Sequence, residues 1–169
     1  MFKHHLWVWV FLSTGIAVAG CGSPYVNIPP QSGDLATHSP NSKNVLQVLT
    51  AVMGTLIDQM SVDGPVAVIL PAGTSELSHV DVAAHIGEPA VSIHKQERLK
   101  AIVTVEATEV RIRGLRAEVD VLTRGLGGPG DLKTAYLAWR PVSGWQVTHV
   151  RTWRGLSMPT FSGSVSEVK

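Results

Sequence analysis

Residues 105–122 carry the sequence that decides the fold, VEATEVRIRGLRAEVDVL. Apolar and charged side chains alternate on both sides of the central RGLR, a pattern typical of two strands joined by a tight turn. Pairing Val110 with Val119 collects the apolar side chains on one face and sets Arg111 against Glu118 on the other. A shift of one residue would pair apolar with charged side chains throughout, so the pattern predicts this register of an antiparallel hairpin.

The same register sets Glu109 opposite Asp120. A close pair of carboxylates can raise a pKa enough for general acid catalysis. Neighbouring arginines on the same face would more simply neutralise the pair, and we expect such a solvated ladder of charges. The apolar positions change parity between Ala107 and Glu109, which predicts a bulge or bend there.

A second hairpin is predicted from TAYLAW at 134–139 and WQVTHVRTW at 145–153. Pairing Trp139 with Trp145 leaves a three-residue loop before Gly144, which is free to take a positive φ. Strict alternation from Trp145 then places His149 on the same face as the tryptophan.

Residues 44–60 show the spacing of an amphipathic helix. Their apolar positions are Val45, Leu46, Val48, Leu49, Val52, Met53, Leu56, Ile57 and Met60. The run 66–70, VAVIL, is bounded by prolines and predicts a buried strand. The segment SHVDVAAHI at 78–86 is compatible with a helix that starts on a capping box at Ser78 or with a strand, and the sequence slightly favours the helix.

Together these elements predict an α+β domain over residues 44–154, with one long amphipathic helix packed on a curved antiparallel sheet of about four to six strands. The order of helix, irregular middle and a four-strand meander ending in GWQVTHVRTW resembles NTF2-like and cystatin-like domains. That resemblance implies a fold and not a function, because such folds host enzymes, ligand binders and interaction modules.

The N-terminal residues have the features of an export signal. One lysine precedes the uncharged stretch LWVWVFLSTGIAVAG at 6–20, which is too short for a helix that crosses a bilayer. Residues 18–21, VAGC, resemble the lipobox of bacterial lipoproteins. The resemblance implies that residues 1–20 are a cleaved signal peptide, that Cys21 carries a diacylglycerol, and that an acyl chain is added to the new amino terminus. The alternatives are an uncleaved anchor and a plain secretory signal with a free thiol.

Such acyl chains would hold the protein on a membrane, because two or more chains give stable anchoring. With Gly22 after the cysteine, the resemblance implies the outer membrane, facing the periplasm or the cell surface, in a two-membrane bacterium. Residues 21–43 are rich in Pro, Gly and Ser and predict a flexible tether, and residues 155–169 predict a loose tail.

Charge is unevenly distributed along the chain. Residues 21–97 hold 2 basic and 7 acidic side chains, whereas residues 98–154 hold 10 basic and 5 acidic ones. Tryptophans alternate with arginines in the basic part, a combination common in binding interfaces. The candidate binding residues are Trp139, Trp145, Trp153, Arg140 and Arg151. A nucleic-acid partner is not expected for an exported, lipid-tethered chain.

Motifs for catalysis are weak. Residues 125–130 match GxGxxG but precede a predicted strand, whereas a phosphate-binding loop needs a following helix. His79 and His85 are six residues apart, which is not the spacing of metal ligands on one helix. The sequence predicts no metal and no cofactor. His149 is the one candidate for an acid or base, near Tyr136 or Asp120, although a buried structural histidine also fits.

The sequence thus predicts a lipid-anchored cell-envelope protein with a non-enzymatic domain that binds a protein, a glycan or another envelope component through one sheet face. The alternative is an NTF2-like domain whose cone-shaped pocket holds a small ligand or performs acid–base chemistry with His149 and Tyr136. A pocket containing His149 would favour the alternative. A filled core with exposed Trp and Arg side chains would favour the binding module.

Overall fold

The computed structural model describes residues 26–30, 39–92, 103–125 and 130–153. The predicted signal peptide 1–20, the lipidation site Cys21 and the tail 155–169 lie outside the described residues. The elements, in chain order, are β1 (Val26–Ile28), α1 (Lys43–Asp58), β2 (Val66–Ile69), α2 (Glu76–Ile86), β3 (Ala90–Ser92), β4 (Val103–Arg113), β5 (Arg116–Arg124), β6 (Asp131–Arg140) and β7 (Gly144–Trp153).

The strands form a mixed, seven-stranded sheet in the order β3-β2-β4-β5-β6-β7, and β1 also pairs with β4. Strand β2 runs parallel to both β3 and β4, whereas the other pairings are antiparallel. The predicted fold class, one long helix on an antiparallel NTF2-like or cystatin-like sheet of four to six strands, is therefore wrong. Helix α2 accounts for the parallel pairing of β2 with β3, because it carries the chain back to the starting edge of the sheet between these two strands.

Strand β1 comes from the segment that the sequence predicts to be a tether. Its three residues pair antiparallel with β4, with Val26 opposite Ile112 and Ile28 opposite Val110. Val26 and Ile28 are each only 2% exposed, so they belong to the core. This part of the predicted tether is a strand of the sheet.

The core lies between the helices and one face of the sheet. Helix α1 buries one continuous stripe, which includes Val45, Val48, Leu49, Val52 and Met53. Against it lie the apolar side chains of the central strands, which are Val105, Val110, Ile112, Val119, Val121, Ala135 and Leu137. These side chains fill the space that an NTF2-like pocket would occupy.

Helix α2 begins at a different residue from the predicted one. The Ser75 side chain accepts a hydrogen bond from the backbone N–H of Ser78, so Ser75 is the N-cap in place of Ser78. The helix ends at Gly87, whose φ of 82° favours glycine. The helix predicted in this uncertain part of the chain is confirmed, with a start three residues earlier.

The first hairpin has the predicted register. Val110 pairs with Val119 and Arg111 with Glu118, and the register shifts between Ala107 and Glu109 as the change of parity predicts. The glycine-rich segment connects two antiparallel strands, since β5 ends at Arg124 and β6 begins at Asp131.

The second hairpin has the predicted pairing of Trp139 with Trp145 but contains a bulge that strict alternation from Trp145 does not allow for. The register shifts between Tyr136 and Leu137, so that His149 lies opposite Tyr136. The extra residue on β7 turns His149 to the face opposite Trp145, where its side chain is exposed. The predicted position of His149, in a concavity on the tryptophan face, is therefore wrong.

Candidate functional site

The candidate site is the face of strands β4 to β7 that points away from α1, which we call the open face. Its side chains alternate with the core positions on every strand. They include Glu109, Arg111, Glu118, Asp120, Thr134, Tyr136, His149, Arg151 and Trp153; of these nine, Thr134 is buried and the others are exposed or half-buried. The open face thus collects charged and aromatic side chains from four adjacent strands.

Arg111 is the centre of a charge cluster on β4 and β5. Its guanidinium lies 3.0 Å from a Glu109 oxygen and 3.0 Å from Asp120 Oδ2. Its Nε lies 3.4 Å from a Glu118 oxygen, an ion pair without hydrogen-bond geometry. The predicted ladder of charges is confirmed, and the opposed Glu109 and Asp120 carboxylates share one arginine rather than forming an acid–base pair.

The cluster fixes the charge of Arg111. Burial lowers the pKa of the guanidinium, but the charges of Asp120, Glu109 and Glu118 and the hydrogen bond to Asp120 outweigh burial and raise that pKa above its ordinary value. Arg111 is a cation at every ordinary pH, as arginine is in proteins generally, and the three carboxylates stabilise its charge.

A chain of hydrogen bonds runs from this cluster to β7. Thr134 Oγ1 donates to Asp120 Oδ1 and accepts from the indole Nε1 of Trp153, at 2.9 Å. The guanidinium carbon of Arg151 lies 3.8 Å from the centre of the Trp153 ring. The indole is therefore held at its nitrogen, and Arg151 stacks on its face as a cation–π pair.

Tyr136 and His149 form a second stacked pair beside the first. Their ring centroids are 5.9 Å apart and their planes differ by 26°. The two residues predicted as an acid–base couple are thus brought together on the open face, where His149 is exposed and Tyr136 is half-buried.

The five predicted binding residues are divided between the two faces of the sheet. Arg151 and Trp153 lie on the open face. Trp145 is a core residue, 8% exposed, whose indole Nε1 donates to Asn44 Oδ1 at 2.8 Å. Trp139 is 37% exposed on the helix side, and Arg140 is exposed at the end of β6. The sequence identifies these residues as a group but does not reveal that they belong to separate surfaces.

Sequence reasoning missed two parts of the site. Thr134, which links Asp120 to Trp153, carries no signal in the sequence beyond its place in a strand. A groove on the helix side was also missed; it lies between α1, α2 and the β6–β7 turn, and its lining includes Trp139, Asp81 and His85.

Histidines do not assemble a metal site in the part of the chain that the structure describes, where no group of three His, Cys, Asp or Glu side chains has suitable geometry. His79 is buried and bonded at both ring nitrogens, Nδ1 to the Ser75 carbonyl and Nε2 to the Leu70 N–H. His85 lies on the surface. Neither described helix is long and apolar enough to span a membrane.

Comparisons with known proteins give no match, whether to family models, to curated proteins or to solved structures.

Proposed function

We propose that this protein is a lipid-anchored component of the bacterial cell envelope. In this proposal its domain is a binding module without enzymatic activity. The module recognises carboxylate or phosphate groups on an envelope polymer through the β6–β7 half of the open face.

The observation that carries the proposal is the stack of Arg151 on Trp153. An arginine that packs its flat face on an indole keeps its edge N–H groups free for a bidentate contact with a carboxylate or phosphate. The indole is itself held by Thr134, so the surface on which the guanidinium rests is in place before a ligand arrives. Such preorganisation reduces the entropy lost on binding.

Charge on the same hairpin supports an anionic ligand. Strands β6 and β7 hold three basic residues against one acid, Asp131. Arg140 and Arg151 occupy positions of the open face, whereas Lys133 is paired with the core residue Val121 and lies on the helix side. Among the described residues no carboxylate lies within ion-pair distance of the two arginines. Their charges are therefore available to a partner on the open face, and complementary charge increases both the rate and the specificity of association.

The positions of His149 and Tyr136 argue against the acid–base alternative. Their rings stack on each other at the surface, and the space under α1 is filled by core side chains. An acid–base site needs a group within hydrogen-bond reach of a bound substrate, in a cavity that excludes water. Neither residue lines the groove that the described residues form between α1, α2 and the β6–β7 turn.

The anchor is supported by the VAGC sequence and tested by intact-protein mass spectrometry of the membrane fraction. The native chain should lack residues 1–20 and carry acyl mass, and Cys21→Ser should lose that mass. An intact signal segment, or an unmodified Cys21 in a soluble product, would refute the anchor and the envelope location with it.

The binding face is tested by titrating the mature chain, in detergent micelles, with an oligogalacturonate and with a neutral oligosaccharide of equal length. We expect the acidic sugar alone to bind, and Arg151→Gln to weaken binding about tenfold, which is about 1.4 kcal/mol. Arg124→Gln is the matched control, because Arg124 is already paired with Glu106 at 3.8 Å. Equal losses from the two variants would contradict a specific role for Arg151.

A further inference from the structure

The helix side of the domain contains a second candidate site, separate from the open face. It is a groove of about 630 Å³ between α1, α2 and the β6–β7 turn. Sites for small ligands occupy roughly 300–1,000 Å³. The groove is therefore large enough for one or two sugar rings.

One wall of the groove is aromatic. Trp139 lines it and is the one described tryptophan that is exposed, since Trp145 is buried and Trp153 is half-buried. The buried Trp145 lines it as well, and a hydrogen bond from its indole to Asn44 holds that ring in place. Leu46 and Val82 add apolar surface. Flat apolar surface of this kind suits the C–H face of a sugar ring.

The remaining lining is polar and offers both donors and acceptors. Gln47 and Asp81 are exposed and present an amide and a carboxylate. His85 Nδ1 lies 2.7 Å from the Asp81 carbonyl oxygen, which can only accept, so this nitrogen carries the proton. Nε2 of the neutral ring is then an acceptor for a ligand hydroxyl.

Charge in the groove is balanced. Its lining includes one ammonium, Lys43, and one carboxylate, Asp81. A strongly charged ligand would meet one like charge in the site, whereas a neutral ligand with several hydroxyls can bond to both groups. The lining thus favours a neutral ligand over the anionic one proposed for the open face.

We propose that this groove binds a neutral sugar unit of a glycan, stacked on Trp139 and hydrogen-bonded by Asp81, Gln47 and His85. A ring whose hydroxyls are all equatorial fits best, because such a ring leaves its axial C–H groups to pack on the indole. The site does not depend on the anionic ligand of the open face.

The test is a titration of the mature chain, in detergent micelles, with cellobiose and with N,N′-diacetylchitobiose, followed by tryptophan fluorescence and calorimetry. We expect at least one of them to bind saturably, with a dissociation constant of roughly 0.01–1 mM. Trp139→Ala should weaken that binding by about tenfold or more, as loss of an aromatic stacking platform does elsewhere. Asp81→Asn should weaken it by about tenfold through the lost charged acceptor.

Trp153→Phe is the matched control, because it removes a tryptophan from the opposite face. It should leave sugar affinity within about twofold, a range typical of changes away from a site. Thermal unfolding of each variant checks that the domain remains folded. The proposal is overturned if neither sugar binds, if Trp139→Ala and Asp81→Asn leave the affinity unchanged, or if Trp153→Phe weakens it as much as Trp139→Ala.

Discussion

Two neighbouring hairpins of one sheet hold their charges in different ways. Hairpin β4–β5 carries four basic and four acidic residues, and Arg111 alone contacts three of the acids. Hairpin β6–β7 carries three basic residues and one acid, and none of its cations contacts a described carboxylate. The difference indicates that charge serves the stability of the first hairpin and is available for binding on the second.

The largest expected effect comes from removing the centre of the first hairpin's cluster. Arg111→Met keeps the volume of the side chain but leaves Glu109, Glu118 and Asp120 without their cation. We expect the free energy of unfolding to fall by about 2 kcal/mol, between the values for exposed and buried ion pairs. Chemical denaturation of the native chain and of the variant measures this difference in the free energy of unfolding.

Arg116→Met is the matched control on the same hairpin. Arg116 is exposed and has no carboxylate within ion-pair distance among the described residues. Its loss should change the free energy of unfolding by less than about 0.5 kcal/mol. Equal effects of the two variants would remove the distinction between the hairpins.

The pH dependence of the Arg111 effect has a definite sign. The folded protein raises the pKa of Arg111 above that of an arginine in the unfolded chain. The stability that the Arg111 ion pairs contribute is therefore fully present below the pKa of the unfolded-state arginine. It is lost only as pH rises through the pKa of Arg111 in the folded protein. The stability difference between the native chain and Arg111→Met should therefore stay constant from about pH 7 to about pH 10. A difference that shrinks steadily across this range would show that some other group carries the effect.

The next effect concerns the link between the hairpins. Thr134→Val preserves shape but removes the donor to Asp120 and the acceptor of the Trp153 indole N–H. We expect a loss of about 1–2 kcal/mol of stability, the usual cost of buried polar groups left without partners. Binding of the oligogalacturonate should weaken as well, because the indole under Arg151 loses its hydrogen bond.

Thr148→Val is the control for this change, since Thr148 is exposed and donates to the Tyr136 carbonyl oxygen at 3.0 Å. Its cost should stay under about 0.5 kcal/mol. Equal losses of stability from Thr148→Val and Thr134→Val would contradict a specific contribution of the hydrogen bonds that Thr134 makes to Asp120 and Trp153.

The smallest effect tests whether the acidic cluster limits binding on its neighbour. Glu118 lies opposite Tyr136 across the β5–β6 pairing. Glu118→Gln should tighten oligogalacturonate binding by about twofold at low salt, since it removes a negative charge beside the basic hairpin. Glu76→Gln makes the same change on α2 and should have no measurable effect. Equal tightening by both variants would mean that only net charge matters.

Side-chain patterning made the first hairpin predictable. In 105–122 a shift of one residue would mix apolar and charged side chains throughout, so the face of each strand and the bulge follow from the sequence, as does the pairing of Glu109 with Asp120. Helix α1 was predictable for the same reason, because its apolar stripe is continuous over four turns.

The errors have two sources. Strict alternation from Trp145 predicts the wrong face for His149, although Val147 and Val150 differ in parity just as the apolar positions around the first bulge do. Strands β1 and β3 have three residues each, too few for a periodic pattern, and β1 lies in a segment rich in Pro and Ser. Because β1 and β3 were not predicted, the parallel pairing of β2 and the seven-stranded sheet could not be predicted either. The groove could not be predicted because its lining comes from elements far apart in the chain.

The central claim is that the β6–β7 half of the open face, and not the β4–β5 half, binds an acidic partner. Chemical-shift mapping tests it most directly, with the isotope-labelled mature chain in detergent micelles and the oligogalacturonate as ligand. The account predicts the largest amide shifts between Gln146 and Trp153 and at Tyr136, and none in α1 or α2. Shifts centred on Arg111 and Glu118, shifts confined to the groove, or no shifts at all would contradict it.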